Sequence, residues 1–118
     1  MFIEEAVKTC YQRATCDSVL YKLGEDFPAF KGHFEGHPLL PAVCHISFCG
    51  DAASRLLGRS VEVRAIKKAK FINPVLPGSF IEVKLSQRPE GWYFAELLEF
   101  NHNKKLSQMI VRFSEKTL

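Results

Sequence analysis

The stretch Phe30–Phe48, FKGHFEGHPLLPAVCHISF, constrains the fold more than any other part of the chain. Gly32 and Gly36 allow backbone conformations that other residues resist, and Pro38 and Pro41 fix φ while supplying no backbone donor. A regular helix therefore cannot form before position 41. Proline is tolerated in the first turn of a helix, where its missing N–H has no partner to lose, so the residues from Ala42 can wind into a helix to about Leu57, with Gly58 at its stop. A shaped loop opening into a helix presents the N–H groups of Ala42, Val43 and Cys44 toward the loop, with the positive end of the dipole behind them. Such an end suits a carbonyl oxygen that gains charge. His33, upstream in the same loop, can exchange protons near neutrality, at an unperturbed pKa of about 6.5, and is the candidate base beside that site.

Within the helix, Val43, Ile46, Gly50, Ala53 and Leu57 fall on one stripe, and Gly50, Ala52, Ala53 and Ser54 keep its second half slim. Phe48 and the Leu56/Leu57 pair make the remaining surface apolar too, so the helix reads as a buried core around which a sheet can wrap. Residues 2–13 read as a strand or a short helix, and residues 15–23 as a strand with Val19, Tyr21 and Leu23 on one face. Four further segments, 61–71, 79–87, 92–100 and 105–113, are rich in β-branched or aromatic residues and read as strands. The connections NPVLPG (73–78), RPEG (88–91) and NHNK (101–104) have turn chemistry, and their shortness predicts antiparallel neighbours throughout. The expected fold class is α+β, a single domain over 1–118 with an antiparallel sheet wrapped around one long helix.

At 118 residues, 47% hydrophobic and 25% charged, the chain can bury a real core and does not read as disordered. Its net charge of +3 includes one local cluster, Arg64, Lys67, Lys68 and Lys70, with no recognition motif for nucleic acid; an acidic protein partner is the better match. Cys10, Cys16, Cys44 and Cys49 show neither C-x-x-C pairing nor zinc spacing, and the N-terminal MFIEEAVKTC lacks a secretory pattern, so reduced thiols and a cytoplasmic location are expected. No stretch approaches the roughly 20 apolar residues of a membrane span. His33, His37 and His45 invite a metal reading, but Gly36 and Pro38 prevent a helix from aligning the first two and no carboxylate completes a set; neither metal nor cofactor is expected. Cys44 and Cys49 read as buried thiols, although a nucleophilic Cys44 at the helix N-terminus would have a lowered pKa. His45 reads as a structural helix residue near an interface, and His102 as a turn residue.

The pattern G-H-F-x-G-x-P-x-x-P at 32–41, followed by a buried helix and by AKFINPVLPGSFIEVKL at 69–85, resembles the hot-dog-fold 3-hydroxyacyl-[acyl-carrier-protein] dehydratases of the FabA/FabZ type. The resemblance spans roughly residues 27–113 and implies the hot-dog fold and a homodimer with two active sites at its interface. It also implies a histidine of one subunit facing an acid of the other, beside an acyl tunnel. His33 matches the family histidine and would take the α proton of a 3-hydroxyacyl thioester. Ala42 stands where the family usually has Gly and would polarise the thioester carbonyl through its N–H. Gly32, Phe34, Ala42, Val43 and Ser47 would contact the substrate.

The departure lies at Ser47, fourteen positions after His33, where the family has Asp or Glu. A serine hydroxyl is too weak an acid to protonate a leaving hydroxyl near neutral pH. Asp51, one helical turn further and about 6 Å along the axis, is the replacement candidate, opposed by its reading as a polar helix-face residue at the family's Gln position. Glu35 is weaker. Three functional classes follow. The first is a hydro-lyase acting on acyl thioesters in fatty acid or related acyl-chain biosynthesis, with acyl carrier protein or another acyl thioester as partner. The second is a hot-dog thioesterase using Asp51. The third is an accessory subunit paired in a heterodimer with an acid-bearing homologue.

Overall fold

The computed structural model describes residues 3–30, 39–102 and 104–116. Helix α1 (Ile3–Thr9) leads into strands β1 (Tyr11–Ala14) and β2 (Ser18–Lys22), so residues 2–13 hold both a helix and a strand. A single 3-10 turn (Pro28–Phe30) precedes the long helix α2 (Ala42–Leu57). Strands β3 (Val61–Phe71), β4 (Phe80–Gln87), β5 (Tyr93–Glu99) and β6 (Lys104–Glu115) complete a six-stranded sheet in the order β1-β2-β4-β5-β6-β3, with every neighbouring pair antiparallel.

The bounds of α2 follow from the residues that flank it. Pro41, at φ −64° and ψ 152°, is extended and precedes the first turn; Gly58 adopts φ 71°, the left-handed conformation that favours glycine, and its N–H closes on the Ser54 carbonyl at 3.0 Å. Ser54 also ties the helix to β3, since its hydroxyl donates to a carbonyl while accepting the Val61 N–H at 2.9 Å. Gly50 allows the backbones of α2 and β3 to approach: a Cβ there would sit 3.8 Å from the Cα of Glu62.

The core fills the space between α2 and the sheet. Val19, Tyr21 and Leu23 are fully buried on the expected face of β2, and Tyr21 and Phe27 pack their rings on Phe48 with centroids 4.9 and 5.9 Å away. Strand β2 is shorter than expected because the Thr15 hydroxyl accepts the Ser18 N–H at 3.1 Å and turns the chain before the strand begins. On β4, Ile81, Val83 and Leu85 point inward at the two-residue period of a strand with one solvated face.

Two expectations need correction. The buried face of α2 is set by Cys44, His45, Phe48, Cys49, Gly50, Ala52 and Ala53; Gly50 and Ala53 of the predicted stripe lie on it, whereas Val43 is 62% exposed, so the apolar stripe lies partly to one side of the predicted one. The connection 73–78 does not join sheet neighbours. It crosses from β3, at the sheet edge, to β4, between β2 and β5. Its Val75 is buried and accepts the Leu40 N–H at 3.1 Å, and the Gly78 N–H donates to Leu23 at 2.8 Å. These bonds to non-sequential partners make it a crossover despite its hairpin-like composition. The connections after β4 and β5 are hairpins as expected. Among the described residues, no helix is long and apolar enough to cross a membrane.

Candidate functional site

Gly32, His33, Phe34, Glu35 and His37 lie outside the described residues, so the site is built from α2 and what surrounds it. Pro41 offers no side-chain cap, and the Cys44 N–H donates to the Pro41 carbonyl at 3.0 Å. Of the three N–H groups expected to face the loop, that of Cys44 is therefore taken. Those of Ala42 and Val43 have no acceptor among the described residues, as the first donors of a helix without a side-chain cap should.

Ala42 opens on a pocket of about 280 Å3, shared with Leu39, Leu40, His45, Phe71, Ile72, Asn73 and Pro74. Ser47 and Asp51 line a different and larger cleft of about 420 Å3, bounded by α1, α2, the start of β3 and the end of β6. Helix geometry separates the two. At 100° per residue Asp51 lies on the side of α2 opposite Ala42, and about 13 Å further along it. One chain thus brings Ser47 and Asp51 together but does not bring either to Ala42.

Asp51 is engaged by its own chain. Its Oδ2 accepts the Tyr21 hydroxyl at 2.6 Å and the Arg55 Nε–H at 2.8 Å, and the Arg55 guanidinium stacks 3.9 Å from the Tyr11 ring centroid. Burial, together with the Asp51 charge, pushes the Tyr21 phenol well above its ordinary range, so Tyr21 is a permanent donor here. The Ser47 hydroxyl donates to the Val43 carbonyl at 3.3 Å, within its own helix. The sequence signal for the Tyr21 contact was an inward-facing tyrosine, whose hydroxyl requires a partner once buried.

The thiols fit no nucleophilic role. Cys10, Cys44 and Cys49 are buried, and burial pushes them up to about 11, 11 and 12. This bears out the reading of Cys44 and Cys49 as buried thiols and leaves no support for a nucleophilic Cys44 at the helix N-terminus. His45 is 3% exposed and holds the Ser107 hydroxyl through Nδ1 at 2.8 Å, with the Phe71 ring edge-on at 5.0 Å. Burial lowers its pKa to about 4. Sequence reasoning placed His45 on the helix but could not supply Ser107, which is far away in the chain. Among the described residues no group of three or more His, Cys, Asp or Glu side chains is placed to hold a metal. Arg64, Lys67, Lys68 and Lys70 are exposed on β3, and the Lys67 and Arg112 cations lie 4.7 and 4.3 Å from the Trp92 ring centroid.

A family model described as ApeI-like, ApeI dehydratase, matches residues 10–112. Among curated proteins, the 3-hydroxyacyl-[acyl-carrier-protein] dehydratase FabZ of Magnetococcus marinus is 35% identical over 79 residues, covering 57% of this chain and 52% of the relative. The FabZ of Bradyrhizobium diazoefficiens is 37% identical over 79 residues, with 57% and 52% covered. The chain spans about half the length of these curated relatives. Among solved structures, the dehydratase heterocomplex ApeI:P from Xenorhabdus doucetiae superposes with a TM-score of 0.70 at 21% identity, covering 89% of this chain and 94% of that one. The PaaI protein of the E. coli phenylacetic acid degradation operon gives 0.61 at 12% identity, with 97% and 89% covered. These likenesses and the sheet order agree on a hot-dog fold.

Proposed function

Because the chain belongs to the ApeI-like dehydratase family, we propose that it is a hydro-lyase that dehydrates a 3-hydroxyacyl thioester in acyl-chain biosynthesis. The observation that carries this reading is the start of α2: directly after the G-H-F-x-G-x-P-x-x-P motif, the Ala42 N–H has no acceptor among the described residues, and Ala42 lines a largely apolar pocket. In this reading the thioester carbonyl accepts that N–H, and His33 removes the α proton as charge builds on the carbonyl oxygen. The C3–O bond then breaks, a C2=C3 double bond forms, and the hydroxyl leaves as water once it receives a proton. Gly32, Phe34 and Val43 are the expected substrate contacts in this reading.

The leaving hydroxyl needs a proton, and among the described residues one chain brings neither Ser47 nor Asp51 to Ala42, which favours a site completed by a second chain. In a homodimer, Ser47 and Asp51 of one subunit would face the Ala42 pocket of the other. Asp51, the one acidic residue of α2, is then the candidate acid. A second reading is favoured by the two donors already held at Asp51 Oδ2 and by the likeness to a protein titled a dehydratase heterocomplex. There the acid comes from a homologous partner subunit. In both, the exposed basic side chains of β3 suit an acidic acyl carrier protein.

The test measures formation of the enoyl thioester from a 3-hydroxyacyl-carrier-protein substrate by the purified protein. His33→Ala is expected to abolish turnover, and undiminished turnover would sink the assignment of the base. If Asp51 is the acid, Asp51→Asn costs about 100-fold or more and Ser47→Glu adds little. If a partner subunit supplies the acid, the protein alone is nearly inactive, Asp51→Asn changes nothing, and Ser47→Glu or the partner restores turnover.

A further inference from the structure

His45 has a second ring nitrogen that no described residue engages. Ser107 is fully buried, and its hydroxyl has Nδ1 of His45 as its partner among the described residues. A buried hydroxyl that accepted from Nδ1 would leave its own hydrogen unpaired, which is costly, so Ser107 donates and Nδ1 accepts. The ring hydrogen therefore resides on Nε2. No buried side-chain nitrogen or oxygen among the described residues lacks a partner, Nε2 bonds to none of those residues, and His45 lines the pocket, the space from which an acceptor can reach that hydrogen. Apart from Asn73, whose side-chain amide N–H donates to the Lys105 carbonyl at 2.8 Å, the rest of that wall is apolar: Leu39, Leu40, Phe71, Ile72 and Pro74. Ala42 lies one helical turn before His45 on the same side of α2, about 4.5 Å back along the axis.

We propose that His45 determines substrate specificity: its Nε2–H donates to an oxygen carried on the acyl chain, beyond a thioester carbonyl held at the Ala42 N–H. The pocket then selects a chain bearing a hydroxyl or ketone oxygen over a plain hydrocarbon chain of the same length. A plain chain would cover Nε2–H without pairing it, and sites built to bond a substrate oxygen reject analogues that lack one. Burial keeps the imidazole neutral, so it acts as a fixed donor and does not compete with His33 for protons. This inference rests on the dehydratase reading for the nature of its ligand.

The experiment compares matched 3-hydroxyacyl thioesters of equal length, one a plain hydrocarbon and the others bearing a hydroxyl or ketone on successive chain carbons. The quantity read is the ratio of kcat/KM between oxygenated and plain chains. For the native protein at least one oxygenated chain is expected to win by about tenfold or more. His45→Leu should collapse that ratio to near one, whereas His45→Gln, which keeps an N–H donor, should retain part of it. Ser107→Ala, which frees the tautomer, should give an intermediate ratio. A merely structural histidine would lower all substrates together, so equal ratios in the native protein and His45→Leu would overturn the proposal. If no thioester is dehydrated, the dehydratase reading fails separately. The same pairs are then compared by calorimetry, and equal affinity for plain and oxygenated chains would overturn the role of His45.

Discussion

Acidification should destabilise this fold through His45 in particular. The imidazole is buried, its Nδ1 accepts the Ser107 hydroxyl at 2.8 Å, and the Phe71 ring edge closes one side. Burial lowers its pKa from 6.5 to about 4, so between these values the unfolded chain binds a proton that the folded chain refuses. The stability contributed by the neutral ring is fully present above about pH 6.5 and is lost as the pH falls toward 4. The separation of about 2.5 pH units, at 1.36 kcal/mol each, gives a loss of roughly 3 kcal/mol at pH 4, a large part of a typical domain's 5–15 kcal/mol. Urea unfolding of the native protein and of His45→Gln from pH 7 to 4 isolates this contribution, because the carboxylates titrate in both. The native protein should lose about 3 kcal/mol more than the variant across that range. Parallel curves would refute the argument, as would a histidine ring signal assigned to position 45 that titrates near 6.5.

The Tyr21–Asp51 bond should show as a coupling in stability. Tyr21→Phe is expected to cost about 1.5–3 kcal/mol, as for a hydrogen bond to a charged group, and in a double-mutant cycle with Asp51→Asn the two losses should not add. The thiols should separate by exposure: at pH 8 a thiol reagent is expected to label Cys16, the exposed cysteine, within minutes, whereas Cys10, Cys44 and Cys49 react at the rate of unfolding. Mass spectrometry showing fast labelling of Cys44 would contradict the effect of its burial.

Some of this structure was legible in the sequence because single residues dictate it. Pro41 and Gly58 bound α2, and RPEG and NHNK mark hairpins whose flanking strands do pair. The connection 73–78 misled because Pro and Gly report that the chain turns, not which strand it turns toward. Its destination is fixed by the burial of Val75 and by backbone bonds to Leu40 and Leu23, distant residues invisible to local chemistry. The helix stripe misled for a related reason. α2 is apolar nearly all round, so periodicity does not say which arc meets the sheet, and the exposed Val43 belongs to the arc that does not. His45 and Asp51 could be read as positions on a helix, but their chemistry depends on Ser107 and Tyr21.

The same helix sets the terms on which catalysis can occur. The Ala42 N–H opens on one pocket while Ser47 and Asp51 line a cleft on another side of α2, and no rotamer spans the half-turn and the roughly 13 Å between Ala42 and Asp51. A reaction that needs both an N–H at the carbonyl and an acid at the neighbouring carbon therefore cannot be completed by α2 of one chain. The arc carrying the exposed Ala42 and Val43 and the half-buried Ile46 and Ser47 is where a second helix could approach closely enough to place its own side chains across from Ala42. If that helix comes from a second copy, the two sites are equivalent and both lack the family carboxylate at position 47. If it comes from an acid-bearing homologue, the site that combines this chain's His33 and Ala42 with the partner's acid would be the competent one. Mixing impaired His33→Ala and Asp51→Asn proteins distinguishes the cases: activity returns if the second helix comes from another copy, whose intact Asp51 then faces an intact His33, and stays absent if the acid comes from a homologue that the mixture lacks.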